Sequence, residues 1–461
     1  MITFVHLSDI HFIDRDLGSQ FDLDQQIRRA LLEDLELKPA DGVDYDGILI
    51  TGDIAFSGKQ EEYRNAQAWL NSVFERTGAA AANTYMVPGN HDVDRSFVEP
   101  DLPLWAAHVQ LREANNPTVW HDHVYKQLVR DPQRSLMAPL GGYNSFAQGY
   151  GCFTGMVKAS TEGEPDKPQL AWQRTFEKPL DANGRSVRLH GLNSALISDE
   201  ADAPAKLLVS QFQTSHFEHT PGVVDVVLCH HPPEWLMDKA ALRDALRTFA
   251  PVSLFGHEHS TRVVADNKQV QLFAGAVQPS RRDPGDWLPT YHVLQLSVVA
   301  NGNQSDLLVR IHTREFDKQN FKFRPRPTEE GLSVEEHRLK LPPWPPAPTT
   351  TTILVEAGAP TALSSVPVNA PPPVEPTMPT RTETAQRELL VHFFRLNTPD
   401  RYAAASEARL LRDGDDSLHP QAMWAEVFRR ASKEEHGLAD FWAAVAARTP
   451  SLKNAENPFT S

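Results

Sequence analysis

Short apolar runs alternate with amphipathic stretches through the first half of the chain. Ile2–Leu7, Gly47–Ile50, Tyr85–Val87, Val223–Leu228 and Val252–Phe255 each end at a polar or glycine-containing turn, a pattern that predicts buried strands. Between them, Leu23–Leu35 and Glu61–Phe74 carry apolar residues at helical spacing. Such alternation predicts an α/β domain whose functional groups gather beyond the carboxyl ends of its strands. Later runs at Gln269–Ala274, Tyr291–Val298 and Leu307–His312 have no helical stretch between them and suit a second, more antiparallel sheet.

Two regions break the pattern. Residues from about 97 to 185 show only scattered helical signals, around Leu104–Glu113 and Trp120–Leu128, and read as an insertion that shapes a pocket or caps the core. Pro342–Thr380 holds 12 of the 36 prolines and a Thr350–Thr352 run, so it cannot pack a core and predicts an extended linker. Helical spacing then resumes. Leu389, Leu390, Phe393 and Phe394 share one face, and Thr398-Pro399 has the form of an N-cap followed by proline. Met423, Trp424, Val427 and Phe428 repeat the pattern, as do Leu438, Phe441, Trp442 and Val445, which predicts a bundle of four or five helices. The expected domains are 1–325, a linker over 326–380 and a helical module over 381–461.

Composition narrows the function classes. A chain of 461 residues with 40% hydrophobic and 23% charged residues can bury a sizeable core. Its start, MITFVHLSDIHF, has no cationic leader, and no apolar run reaches the roughly 20 residues of a membrane helix; a cytoplasmic protein without a membrane partner is expected. Two cysteines, Cys152 and Cys229, cannot build a disulfide framework, and Cys229 sits in an apolar run as a small hydrophobe would. A net charge of −15 argues against non-specific binding to duplex DNA, which needs many Lys and Arg. It leaves a nucleotide substrate open, because metal ions supply local positive charge.

Candidate chemistry sits at the ends of the predicted strands. Asp9 and His11 follow the first, Asp53 the second, Asn90-His91-Asp92 the third, His230-His231 the fourth and His257-Glu258-His259 the fifth. Mixed Asp, Asn and His donors suit Mn, Fe, Zn or Ni better than Ca or Mg, which prefer oxygen shells. His121 and His123 would point apart on a helix and read as surface residues, Arg281-Arg282 as a strand-end charge pair, and His6 as a hydrogen-bonded core histidine.

Together these blocks resemble the calcineurin-like metallophosphoesterase superfamily, whose pattern is D-x-H, G-D, G-N-H-[D/E], a later H, and G-H-x-H. All five are present in order between Met1 and Arg314. The resemblance implies a four-layer α/β/β/α sandwich binding two divalent metal ions. It implies that Asp9, His11 and His259 hold the first metal, that Asn90, His230 and His257 hold the second, and that Asp53 bridges them. His230 is preferred to His231 because the family's ligand directly ends the strand. His91 would stabilise charge or protonate the leaving oxygen, with Asp92 orienting it; alternatively the two only fix Asn90.

The implied activity is hydrolysis of a phosphodiester, first of a nucleotide, because Leu49–Gly58 and His230-His231-Pro232-Pro233 are similar to cyclic-nucleotide phosphodiesterases. Nucleases share the same ligands, so a nucleic-acid substrate stays open. The C-terminal region resembles the death-like adaptor modules of bacterial conflict systems. That implies homotypic assembly through 381–461 and, as a different class of function, a scaffold.

Overall fold

The strand β1 (Ile2–Leu7) is buried along its whole length, because it lies at the centre of a sheet covered on both faces. The structure, a computed structural model, describes all residues except 15–21, 23, 39, 41, 99–101, 115, 131–134, 158–166, 279–287, 303, 329, 343–384, 386–388, 390–391, 394–395, 397, 413–414, 416–419, 435, 450–451, 453–455 and 461. After β1 come α1 (Gln25–Glu36), β2 (Gly47–Ile50), α2 (Gln60–Thr77) and β3 (Thr84–Met86), with β1, β2 and β3 parallel. The start of α2 is fixed by Glu62, whose carboxylate accepts from Ser57 N and Lys59 N, both at 2.9 Å. Its end is Gly78 at φ 71°, whose N–H donates to Phe74 O.

The helices α3 (Leu102–Glu113), α4 (Pro117–Tyr125) and α5 (Gly141–Ala147) follow, then the short pair β4 (Met156–Val157) and β5 (Lys167–Pro168). A second sheet begins with β6 (Ala171–Thr175) and β7 (Ser186–Leu192) and continues through β8 (Val223–Cys229), α6 (Lys239–Phe249), β9 (Val252–Phe255), β10 (Arg262–Ala265) and β11 (Val270–Phe273). Its order is β10-β11-β9-β8-β7-β6, with antiparallel strands only at the two edges. The chain returns to the first sheet through β12 (Thr290–Asn301), β13 (Gln304–Asp317), β14 (Lys322–Pro325) and β15 (Glu335–Lys340).

The sheets meet through aromatic side chains. Phe4 of β1 stands edge-on to Phe176 at 5.1 Å, Tyr85 of β3 packs on Trp172 of β6 at 6.0 Å, and the Trp172 indole donates to Met86 O at 2.8 Å. With α1 tied to the first sheet by Asp34, which accepts from Arg314 Nε at 2.8 Å, the arrangement is the α/β sandwich of two sheets with flanking helices.

Three expectations change. The strands at 290–317 complete the first sheet, since Val5 pairs with Val293; they do not form the second, which is mostly parallel. The region 97–185 is not all insertion, because β6 pairs with β7, Trp172 opposite Gly191. The linker expected from 326 starts too early: β15 pairs with β13, Leu307 opposite Leu339.

The chain divides into two compact units, Met1–Trp344 and Pro345–Ser461. Within the second, helices Thr398–Glu407, Pro420–Lys433 and Gly437–Ala446 lie among the described residues. Phe393 is their centre, with Trp424, Phe428 and Phe441 rings at 5.2, 5.3 and 5.1 Å. Leu390 and Phe394, expected on the same face, lie outside the described residues.

Candidate metal centre

Every proposed ligand sits just past the carboxyl end of a parallel strand: β1, β2 and β3 in one sheet, β8 and β9 in the other. The loops after β1 and β2 pair with each other, Asp9 N donating to Gly52 O at 3.1 Å, and Ile10 N and His11 N to Asp53 O at 2.8 and 3.0 Å. Asp9, His11, Asp53, His257 and His259 all have positive φ, between 52° and 70°. Side chains rarely adopt that conformation, and it persists only where the surroundings over-determine it. At Gly52, with φ 91°, an added Cβ would lie 2.5 Å from His230 Nδ1, so this loop and the His230 ring need the bare backbone.

The side chains converge into two groups. On one side His259 Nε2 is 3.2 Å from Asp9 Oδ1, and Asp9, His11 and His259 place one donor atom each within 4.8 Å of one another. On the other, Asn90 Oδ1 is met by His230 Nε2 at 3.2 Å and His257 Nδ1 at 3.0 Å. Asp53 stands between: its Oδ2 is 3.4 Å from His230 Nε2 and 4.0 Å from His11 Nε2. All seven proposed ligands are thus together.

This donor set fits divalent cations. Both ring nitrogens of His11 are buried without a hydrogen-bond partner, a costly state for polar atoms unless something else satisfies them. His230 Nδ1 donates to Thr51 O at 2.6 Å, which directs Nε2 at Asn90 Oδ1 and Asp53. A neutral ring held this way aims a lone pair at two oxygens, an arrangement a cation resolves.

The sequence profile of the calcineurin-like phosphoesterases matches residues 2–261. The chain belongs to that family. The family uses divalent metals. The uncharacterized metallophosphoesterase-like protein YydB of Bacillus subtilis is 24% identical over 293 residues, 60% of this chain and 53% of that one. The chain spans about half the length of that curated relative. Among solved structures, zinc-complexed Vps29 of Entamoeba histolytica aligns with 74% of this chain and 99% of its own at 9% identity and TM-score 0.29. GAP50 of Plasmodium aligns with 75% and 90% at 10% identity and TM-score 0.34. A putative 5'-nucleotidase from Staphylococcus aureus aligns with 76% and 56% at 13% identity and TM-score 0.30.

The electrostatics of this site follow from burial and close charge. Burial opposes ionisation of Asp53, yet the histidines around it, His230 first, hold its carboxyl well below the usual range. Burial likewise opposes protonation of His230, but the Asp53 and Asp9 carboxylates outweigh it and raise this ring to about 9. His11 and His257 are pushed down to about 3, chiefly by burial, and stay neutral as ligands must.

Asp92 requires a correction. It does not touch the His91 ring, whose Nδ1 donates to Phe56 O at 2.7 Å. The Asp92 carboxylate instead accepts from Ala55 N, Gly89 N and Tyr63 Oη, each at 2.9 Å, and from Ile54 N at 3.2 Å. It ties the loop after β2 to the loop after β3, and burial with the nearby Asp53 raises it to about 6.

His230 is the expected ligand of the doublet, yet His231 Nε2 is also 3.2 Å from Asn90 Oδ1, with Nδ1 2.9 Å from Ser194 Oγ. Only the His-His doublet signalled it. Trp235 stands edge-on to His257 at 4.0 Å and had no sequence signal. Among the described residues His121 and His123 join no metal-binding group, and Arg281-Arg282 lie outside them. His6 is a buried core histidine beside Thr51 Oγ1 at 3.0 Å, lowered to about 3 by burial. No helix among the described residues is long and apolar enough to cross a membrane.

Proposed function

We propose that the chain hydrolyses a phosphodiester bond of a nucleotide, using two divalent cations of the Mn, Fe, Zn or Ni kind. The observation that carries this reading is the pair of donor groups sharing Asp53. Asp9, His11 and His259 would hold one cation, Asn90, His230 and His257 the other, and Asp53 both. Bound there, the cations supply Lewis acidity toward the phosphoryl oxygens and acidify the attacking water.

The chain's own residues do the rest. His91 N donates to Asp53 Oδ1 at 2.8 Å, so the turn bearing His91 is locked to the shared carboxylate. Because Phe56 O only accepts, His91 carries its hydrogen on Nδ1, leaving Nε2 to take up a proton and deliver it to the leaving oxygen. Water attacks phosphorus in line, the P–O bond to the leaving group breaks, and that oxygen acquires the proton. A phosphodiester is favoured over a monoester by the His230-His231-Pro232-Pro233 run, whose second histidine reaches the same Asn90 oxygen as the first. The −15 net charge favours a small nucleotide over a polymer.

The test is a substrate panel with Mn-loaded protein: cyclic nucleotides, a bis-aryl phosphodiester, an aryl phosphomonoester, and single- and double-stranded DNA. Turnover of cyclic nucleotide and diester above monoester and DNA is expected. Preference for the monoester, or for DNA, refutes the substrate assignment.

A further inference from the structure

Asp9 and His11 stand on one short turn, and both are left-handed at φ 53°. Non-glycine residues adopt this conformation only where the surroundings over-determine it, so the turn needs holding from both sides. The N–H side is held by Gly52 O and Asp53 O. The carbonyl side is held by a segment far along the chain: Val277 N donates to Ser8 O at 2.9 Å and Gln278 N to Asp9 O at 3.2 Å. The Gln278 amide, turned to satisfy both of its ends, donates from nitrogen to Ile10 O at 2.8 Å and accepts through oxygen from Arg28 Nη1 at 2.8 Å. Gln278 is 1% exposed.

Arg28 is an unusual residue to find there. It lies on α1 with its side chain buried, ion-paired to Asp22 and 5.5 Å above the Phe12 ring. Withdrawing a guanidinium from water is costly, and an apolar side chain of similar volume would pack the space with less penalty. What the apolar side chain lacks is a donor for Gln278. None of Arg28, Asp22 and Gln278 belongs to the five family blocks.

We propose that Arg28 and Gln278 are positioning residues that clamp the Asp9–His11 turn and so set the affinity of the first metal position. This rests on the reading that Asp9 and His11 hold that metal. The clamp joins α1 to the loop between β11 and β12 and passes through the one carbonyl, that of Ile10, lying between the two ligands. Gln278→Glu isolates the point, since it still offers Arg28 an acceptor but has no donor for Ile10 O. Arg28→Lys keeps a charge for Asp22 and loses the planar fork that reaches Gln278.

The experiment titrates the chelator-stripped full chain with Mn²⁺ by calorimetry, counts bound metal by elemental analysis, and follows melting in chelator. Gln278→Glu should weaken one of two equivalents about 10–100-fold, the usual effect of losing a ligand's support, and leave the other unchanged. Arg28→Lys should weaken the same equivalent, and excess Mn²⁺ should restore kcat with KM unaltered. Both variants should melt cooperatively without metal. Asp9→Ala serves as the reference. Wild-type affinity in Gln278→Glu beside weakened affinity in Asp9→Ala overturns the clamp alone. Wild-type affinity in both overturns the ligand assignment beneath it, and equal weakening of both equivalents by Gln278→Glu shows a general structural loss and also overturns the clamp.

Discussion

Gly89→Ala is the smallest change that separates folding from function in this site. Gly89 has φ −107° and ψ −175°, an extended conformation open to any residue, so alanine brings no backbone penalty. Its Cβ, however, would lie 2.1 Å from Asp53 Oδ1, 2.6 Å from Asp53 N and 2.8 Å from Asp53 Cγ. Ordinary contact starts near 3.4 Å, so the carboxylate or the loop must give by about 1.3 Å. Overpacking of this kind costs roughly 1–3 kcal/mol, which a domain of this size tolerates. A displacement of about 1 Å at a reacting centre costs on the order of 10²-fold in rate. Since Asp53 reaches toward both donor groups, both metal positions should suffer. The assay is elemental analysis of the purified variant, with kcat on a bis-aryl phosphodiester and a melting curve. Gly149→Ala, where nothing lies within 4 Å, is the control for substitution itself. A Gly89→Ala protein with full metal content and wild-type turnover refutes the shared use of Asp53.

Four further outcomes are expected. His91→Ala should keep its metals and lose roughly 10²–10⁴-fold in turnover, less on substrates with good leaving groups; parallel loss of metal in elemental analysis would make His91 structural. Asp92→Asn should lower the denaturant midpoint and weaken metal binding, because its amide nitrogen would face N–H donors that now meet a carboxylate; an unchanged midpoint counts against the two-loop tie. Burial opposes ionisation of Asp199, but hydrogen bonds from His108 and Arg112 hold its carboxyl below the ordinary 3.8. With the folded value depressed, its stabilisation is complete above about pH 4 and fades below, so Asp199→Asn should melt earlier at pH 7 and the gap should close in acid; a gap constant to pH 3 would contradict this. A chain ending at Trp344 should keep its hydrolytic rate on small substrates, whereas one ending before Glu335 should be less stable, having lost β15 from the edge of β13; loss of metal by the longer form would tie 345–461 to the site.

Strand-end chemistry was legible because burial on both faces writes itself as unbroken apolar runs. Ile2–Leu7, Gly47–Ile50 and Val252–Phe255 read as strands at their observed limits. Each closes on a polar ligand, so order and location could be read together. β15 was not legible, since Glu335–Lys340 buries only Leu339 fully and its charges imitate a linker. Nor was the partner of Asp92, because hydrogen bonds from Ala55 N and Gly89 N depend on loop paths rather than on residue spacing. The Arg28–Gln278 contact spans two distant segments, and nothing in either stretch marks the other.

The left-handed residues divide this protein into positions that can be improved and positions that cannot. Lys38, Ala205, Phe321 and Arg409 share the positive φ of the metal centre, at 49°, 57°, 51° and 57°, but none is a proposed ligand. Glycine at each would relieve backbone crowding of roughly 1 kcal/mol, partly offset by the greater freedom glycine gives the unfolded chain. At Asp9, His11, Asp53, His257 and His259 the same relief would delete a donor. Thermal hardening of this chain therefore has to come from its periphery, and the strain at its centre is a fixed inheritance of the chemistry.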